Sequence, residues 1–129
     1  PLPSSVSVPI LFKGQVMQMS QNKCGDIVTL LVENERIDAA SAIAFKDMIR
    51  AAAQTAPPRV ILDLSMVTFV DSSGLGAIVN AKKALGPDTR LDLCTLSGAV
   101  DKVFKLTRMD SVFDIYPGLD QALSGPPAG

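Results

Sequence analysis

One short segment of the sequence, residues 68–76, brings together residue types that can do chemistry at the start of a helix. Its chemically distinctive members are Asp71, Ser72, Ser73, Gly74 and Gly76. The segment follows an apolar stretch typical of a buried strand and opens a helical pattern. In open α/β sheets, reactive groups usually lie beyond the carboxyl ends of the strands. A serine at a helix start can cap the helix, and it can also carry a phosphate, whose charge the free backbone N–H groups stabilise.

The same residues also have a purely structural interpretation. Asp-Ser-Ser-Gly at a helix start is a sequence that capping alone would favour. The two glycines are less expected, because glycine in a helix costs about 1 kcal/mol relative to alanine. Gly74 and Gly76 therefore indicate close approach by another backbone or by a partner. From these residues alone, a capping motif and a phosphorylation site both remain open.

The rest of the sequence excludes several kinds of catalytic site. Histidine is absent, which rules out Ser-His-Asp and Cys-His catalysis and histidine-ligated zinc. The sequence contains neither a Gly-Lys-Ser/Thr phosphate loop nor a Gly-x-Ser-x-Gly nucleophile elbow. Two cysteines, Cys24 and Cys94, are too few for a four-thiolate zinc site. We therefore expect no catalytic residues, no metal and no cofactor.

Composition predicts a folded domain without a nucleic-acid or membrane surface. Apolar residues make up 47% and charged residues 19% of the 129 residues, which excludes a disordered chain. No apolar run approaches the roughly 18 residues that a membrane-spanning helix needs. The net charge of -1 gives no electrostatic footprint for nucleic acid or anionic lipid. Because the N-terminus lacks a signal-peptide pattern, we expect a cytoplasmic protein with reduced thiols.

Apolar periodicity predicts a single α/β domain in which strands and helices alternate. Residues 15–20 and 27–32 are predicted to form a hairpin around a turn at 22–25. Further strands are predicted at 59–64, 90–96 and 112–116, and helices at 38–55 (capped by Asp38), from Ser73 to the Gly86-Pro87 pair, after the N-cap Ser97, and at 117–123. Strand-helix-strand alternation implies parallel strands. We therefore expect a mixed sheet of four to five strands with crossover helices over residues 10–124, flanked by a flexible arm, 1–9, and a flexible tail, 125–129.

Four blocks, in order along the chain, resemble the STAS domain family (sulphate transporter and anti-sigma factor antagonist). The most specific block is 60–76, an apolar strand followed by Phe-Val-Asp-Ser-Ser-Gly-Leu-Gly. The other three are Arg-Ile-Asp at 36–38, the stretch from Leu91 to Val100, and residues 106–116. The resemblance covers about residues 15–123 and implies the STAS fold.

This resemblance implies a regulator that acts by partner switching. In stand-alone bacterial members the first serine of Asp-Ser-Ser-Gly accepts a phosphate, and that position here is Ser72. The unphosphorylated protein binds an anti-sigma factor that is also its serine kinase, and this frees the sigma factor. The phosphorylated protein does not bind, and a serine phosphatase restores it.

The resemblance also implies which residues meet the partner. The expected partner-binding residues are Asp38, Asp71, Ser72, Ser73, Gly74, Leu75 and Gly76. Ser73 is expected to cap the helix, and Asp71 to orient the acceptor hydroxyl. The chain departs from the family pattern at Glu35 and Arg36, which stand where the family commonly has glycine and often an acidic residue. Arg36 thus reverses a charge beside the expected binding surface.

Two other functions remain open. One is a STAS module in a scaffold or transport complex, in which Ser72 is a helix cap and is not phosphorylated. The other is a weak nucleotide-binding module. The missing phosphate loop and missing histidine disfavour the second.

Overall fold

The computed structural model describes residues 6–12, 15–54 and 56–124. The strands are β1 (Val6–Phe12), β2 (Gln15–Cys24), β3 (Ile27–Val32), β4 (Arg36–Ile37), β5 (Arg59–Asp63), β6 (Phe69–Val70), β7 (Arg90–Cys94) and β8 (Ile115–Tyr116). The helices are α1 (Ala42–Ala52), α2 (Ser72–Leu85), α3 (Gly98–Leu106) and α4 (Leu119–Ser124), and a 3₁₀ turn, Met109–Ser111, lies between α3 and β8. Among these residues, no helix combines the length and the apolarity that crossing a membrane requires.

In the described part of the chain, the main sheet has six strands in the order β1-β2-β3-β5-β7-β8. Strands β1, β2 and β3 are antiparallel neighbours, whereas β3, β5, β7 and β8 pair in parallel. Helices α1, α2 and α3 each fall between two consecutive parallel strands of this sheet. The predicted α/β class, mixed sheet and β2–β3 hairpin are confirmed. Strand β1 is the addition that brings the sheet to six strands.

Apolar side chains cover both faces of the sheet at its centre. On one face, Phe45 of α1 and Leu62 of β5 belong to the main core, and both are fully buried. On the other face, Ala122 of α4 packs with Ile61 and Cys94. Successive strand residues point to opposite faces, which explains why β5 is apolar along most of its length. Burial raises the pKa of the Cys94 thiol to about 11, so this cysteine stays protonated and unreactive at neutral pH.

The N-terminal prediction was wrong for residues 6–9, which lie in β1 and not in a loose arm. Strand β1 pairs with β2 from Val6 opposite Gln21 to Phe12 opposite Gln15. Pro9 is compatible with this strand because β1 is at the edge of the sheet, where an N–H can be spared. The remaining residues of the predicted arm, 1–5, and the predicted tail, 125–129, lie outside the described residues.

Helix α1 is shorter than the sequence predicts. The predicted cap, Asp38, lies four residues before the helix, and its Oδ1 accepts hydrogen bonds from the N–H groups of Ala40 (3.1 Å) and Ser41 (3.3 Å). These bonds stabilise a separate turn, so the first helical residue is Ala42. At the other end the helix stops at Ala52. The predicted last residue, Thr55, lies outside the described residues.

The C-terminal elements also start later than predicted. The last strand begins at Ile115 and not at 112. The N–H groups of Val112 and Phe113 still donate to the Met109 carbonyl of the preceding 3₁₀ turn, so the chain is not yet extended there. The last helix begins at Leu119 and not at Pro117. By contrast, the predicted cap of α3 is confirmed, since the Ser97 hydroxyl accepts a hydrogen bond from the Val100 N–H at 3.4 Å.

A second, very short sheet connects the starts of α1 and α2. Strands β4 and β6 run parallel, with Ile37 opposite Val70, and both of these side chains are buried. The Asp71 N–H donates to the Ile37 carbonyl at 3.4 Å. Helix α2 then passes so close to β4 that a Cβ on Gly74 would lie 1.9 Å from the Ile37 carbonyl oxygen. Gly74 is thus required by backbone contact, as the sequence indicated.

A buried ionic network holds the opposite end of the main sheet. Asp92 of β7 is 1% exposed and accepts from Arg59 Nε at 2.6 Å and from Arg90 Nε at 2.9 Å. Arg59 Nη1 also donates to the Ala122 carbonyl at 2.7 Å, and Arg90 continues to Asp114. The network therefore links β5, β7, α4 and the segment before β8.

The Gly74 contact predicts that Gly74→Ala destabilises the domain. The added methyl group meets backbone, which cannot rotate away, so we expect a loss of about 2 kcal/mol in the free energy of unfolding. Gly76→Ala is the matched control, because a Cβ at Gly76 has nothing within 4 Å. There the better helix propensity of alanine should leave stability unchanged or raise it by up to about 1 kcal/mol. Denaturant unfolding of the two variants decides, and equal midpoints would contradict the contact.

The network predicts that Asp92→Asn is strongly destabilising. Removing one partner of a buried ion pair leaves an uncompensated charge, at a cost of about 3 kcal/mol. The control is Asp101→Asn, which removes an exposed pair between Asp101 and Lys105 at 2.9 Å. Chemical denaturation should show a large loss for Asp92→Asn and no measurable change for the control. Similar behaviour of the two variants would argue against the network as a stabilising element.

Candidate functional site

The start of α2 is fixed by Asp71. Its Oδ1 accepts a hydrogen bond from the Gly74 N–H at 2.8 Å, and its extended backbone (φ -94°, ψ -174°) is that of an N-cap residue. Its carbonyl accepts the Leu75 N–H at 2.8 Å, the first intrahelical bond. The prediction that Ser73 caps this helix was wrong, because Asp71 has the N-cap backbone geometry and its side chain accepts the Gly74 N–H, so the helix starts at Ser72.

Ser72 and Ser73 are the first two residues of α2, and both are exposed. Neither hydroxyl is hydrogen-bonded to any part of the chain that the structure describes. The expected contact between Asp71 and the Ser72 hydroxyl is not formed, since the bonded Asp71 oxygen is directed to Gly74. Ser72 therefore presents a free hydroxyl at the positive end of a helix dipole, with a carboxylate as its neighbour in sequence.

Asp38 occupies the position in β4 that Asp71 occupies in β6. Each aspartate follows one residue after the paired positions Ile37 and Val70, so the parallel ladder carries both carboxylates to the same edge. Asp38 is half-buried. Burial alone would raise its pKa, but hydrogen bonds from Arg36, Ser41 and Ala40 outweigh burial and lower the pKa below the ordinary 3.8. Asp38 is therefore ionised at neutral pH.

Arg36 lies on the exposed side of the same ladder. Its Nε donates to Asp38 Oδ2 at 3.4 Å, and its guanidinium carbon lies 4.1 Å from the centroid of the Phe69 ring. Phe69 faces Arg36 across the ladder and is 38% exposed. Arginine and aromatic side chains are both enriched at protein–protein interfaces.

A groove of about 330 Å³ runs between α1 and α2, next to the exposed serines. Ser73 and Gly76 of α2 line it, opposite Ile43 and Lys46 of α1. Ile43 is a large apolar residue left 48% exposed. Gly76 borders open space in this groove, because a Cβ there would meet nothing within 4 Å.

The predicted site residues divide into a surface group and a supporting group. Ser72 and Ser73 are exposed, and Asp38 and Asp71 are partly buried. Gly74 is buried, and Leu75 is partly buried against the main core. We therefore place Leu75 at the margin of the surface, where it mainly supports the helix.

Sequence reasoning noted Arg36 for its charge but missed its contact with Phe69, and it missed Ile43 and Met66. Met66 lies in the segment from β5 to β6 and is 46% exposed. The available signal was the presence of large apolar residues in the five positions before Asp71 and of one, Ile43, off the buried stripe of α1. In the described residues no group of three or more His, Cys, Asp or Glu side chains could hold a metal ion.

Comparison with known protein families matches residues 21–122 to the STAS domain. The chain is 24% identical over 102 residues to the anti-sigma-F factor antagonist RsfB of Mycobacterium tuberculosis, covering 79% of this chain and 84% of RsfB. The structure of an anti-sigma factor antagonist from Mycobacterium paratuberculosis is 27% identical, with a TM-score of 0.76 over 89% of this chain and 97% of that one. A STAS domain protein from Planctomyces limnophilus is 24% identical, with a TM-score of 0.73 over 81% of this chain and 94% of that one.

The family match begins in β2 and ends in α4, so it contains both aspartates of the β4–β6 ladder and the whole of α2. Because this match covers most of the chain, the chain belongs to the STAS domain family.

Proposed function

We propose that the chain is an anti-sigma factor antagonist that works by partner switching, with Ser72 as the phosphorylated residue. In its unphosphorylated form it binds an anti-sigma factor that is also a serine kinase. Phosphorylation of Ser72 releases that partner, and a serine phosphatase reverses the change. The chain itself acts by binding and supplies no catalytic residue.

The observation that carries this proposal is the free hydroxyl of Ser72 at the start of α2. Asp71 already caps the helix through the Gly74 N–H, so the fold does not need the Ser72 side chain. A kinase can therefore reach and modify it without breaking a bond of the domain. The names of the relatives, which are anti-sigma factor antagonists, support the same role.

The position of Ser72 also explains how a phosphate can act as a switch. A phosphate adds about -1.5 to -2 charge at neutral pH. Within the domain, the helix dipole and the N–H groups of the first turn stabilise this charge, while Asp71 opposes it. In a complex, the same charge loses water against a surface that had fitted a neutral hydroxyl. The phosphate should thus weaken binding much more than folding.

We predict that phosphorylation at Ser72 lowers partner affinity while leaving the domain folded. The expected change in stability is on the order of 1 kcal/mol in either direction, whereas binding to the purified anti-sigma factor kinase should fall at least about 100-fold, the loss of roughly 3 kcal/mol that burying an unpaired charge brings. The measurement pairs the thermal midpoint with calorimetric affinity, for both forms of the protein.

Ser73→Ala is the matched control for Ser72→Ala, because the two serines are neighbours and both are exposed. Mass spectrometry after incubation with kinase and ATP should find one phosphate on the Ser73→Ala variant and none on Ser72→Ala. A phosphate on Ser73 or Thr68 would overturn the site. Binding without any phosphorylation would instead favour the scaffold or transport role.

We further predict that Asp71 acts through the helix cap. Asparagine is as good an N-cap as aspartate, so Asp71→Asn should keep wild-type stability and a phosphorylation rate close to wild type. Asp71→Ala removes the acceptor of the Gly74 N–H bond and should cost about 1 kcal/mol of stability. Unfolding midpoints and initial phosphorylation rates of the two variants test this. A slow but stable Asp71→Asn variant would show that the carboxylate charge orients the hydroxyl after all.

A further inference from the structure

Arg36 is an exposed charged residue of the β4–β6 ladder, and most of its donors are unused within the described part of the domain. Its side chain is 61% exposed, and its one hydrogen bond within the described residues runs from Nε to Asp38 at 3.4 Å, which is a long contact. Both terminal NH₂ groups of the guanidinium are therefore unpaired in the described part of the chain. Two parallel donors of this kind match the two oxygens of a carboxylate.

The guanidinium is also held in place before any partner arrives. The Phe69 ring supports its face, with 4.1 Å between the guanidinium carbon and the ring centroid, and Asp38 holds its inner edge. A side chain that is ordered in advance loses less conformational entropy on binding. Arg36 and Phe69 thus form a preorganised anchor with an outward-facing fork of donors.

The neighbouring carboxylates do not offer the same opportunity to a partner. Asp71 accepts the Gly74 N–H, and Asp38 accepts from Ala40 and Ser41 as well as from Arg36. Backbone donors at the starts of a turn and a helix therefore already occupy part of the acceptor capacity of these two carboxylates. On the β4–β6 ladder, the donors left without a partner in the described residues are the terminal nitrogens of Arg36.

From these contacts we infer that the Arg36–Phe69 pair determines partner specificity by receiving an Asp or Glu side chain of the anti-sigma factor. The inference rests on the proposed function, because it names the chemistry of the partner at the same surface. The carboxylate bonds to both terminal nitrogens of Arg36, and apolar groups around it cover Phe69, which is 38% exposed. A partner with a basic residue at this point is rejected by like-charge repulsion.

A different role for Arg36 is to shield the Phe69 ring from water, which is a contribution to folding only. The two roles are separated by Arg36→Met, which keeps an apolar cover over the ring and removes the donors. If Arg36 only shields the ring, Arg36→Met binds the partner like wild type. If Arg36 receives a carboxylate, Arg36→Met stays as stable as wild type but binds the partner more weakly.

The experiment measures calorimetric affinity for a purified anti-sigma factor serine kinase from the same organism. We expect Arg36→Met to weaken binding about 30-fold and Arg36→Glu to weaken it further, as for loss of one member of a hydrogen-bonded charge pair. Arg36→Lys keeps the charge without the fork and should fall between wild type and Arg36→Met. Arg50→Met is the matched control, because Arg50 is exposed in the last turn of α1, at the other end of that helix.

Charge exchange identifies the partner residue. Arg36→Glu is combined in turn with replacement of each exposed partner carboxylate by arginine, and one such combination should restore at least tenfold of the lost affinity. Wild-type affinity in Arg36→Met, or no rescue by any charge exchange, overturns the inference. The proposed function stays intact in that case if Ser72→Glu still abolishes binding. If the wild-type chain does not bind the kinase at all, the proposed function falls and this inference falls with it.

Discussion

The candidate site depends on one close backbone contact, between the first turn of α2 and the last residue of β4. With no side chain at Gly74, the helix can lie directly on the Ile37 carbonyl. This contact, together with the two-residue β4–β6 ladder, brings together two segments that are distant in the sequence. Ser72, Asp38 and Arg36 share one surface because of this packing, although no bond joins the serine to the other two in the described residues. Any larger residue at position 74 would push the helix start away from the ladder.

The contact also explains why some polar residues of this surface bond to the backbone and others do not. Asp71 and Asp38 accept hydrogen bonds from backbone N–H groups, so they fix the local geometry and part of their acceptor capacity is occupied. The Ser72 side chain makes no hydrogen bond within the described residues, because Ser72 follows the cap residue and precedes the buried part of the first helical turn. The hydroxyl of Ser72 and the terminal nitrogens of Arg36 are left for other molecules. A site in which folding contacts and binding contacts use different atoms can be modified without unfolding.

The sequence predicted the elements whose causes are local. Strand Ile27–Val32 was predicted at its observed bounds because six consecutive β-branched or apolar residues favour a strand almost anywhere. The Ser97 cap was also correct, since capping involves only the next three residues. Strand β1 was missed because the first nine residues contain three prolines and three serines. Such a segment forms a strand only through pairing with β2. The β4–β6 ladder was not predicted, because strands of two residues show no periodicity in the sequence and form only through pairing with each other.

Within the site, the sequence identified residue types but not their contacts. Asp71, Ser72 and Gly74 lie at the start of a helix, as predicted, yet Ser73 was given the cap that Asp71 supplies. A serine and an aspartate are both good caps, and only the backbone geometry distinguishes which one begins the helix. The stacking of Arg36 on Phe69 had no sequence signal, because it depends on the register of two short strands. Residue composition alone therefore could not show that this arginine is oriented toward solvent.

The two ends of the sheet carry different constraints, so the surface charge at one end can change without affecting the buried ion pairs at the other. Asp92, Arg59 and Arg90 form a buried network near the starts of β5 and β7, where a change of charge affects folding. At the carboxyl end, Arg36 is mostly exposed, so a change of charge there has little consequence for the core. The charge at position 36 can thus be altered while the cap, the ladder and the Gly74 contact persist. A chain with this arrangement can keep one fold while the charge of its exposed surface changes.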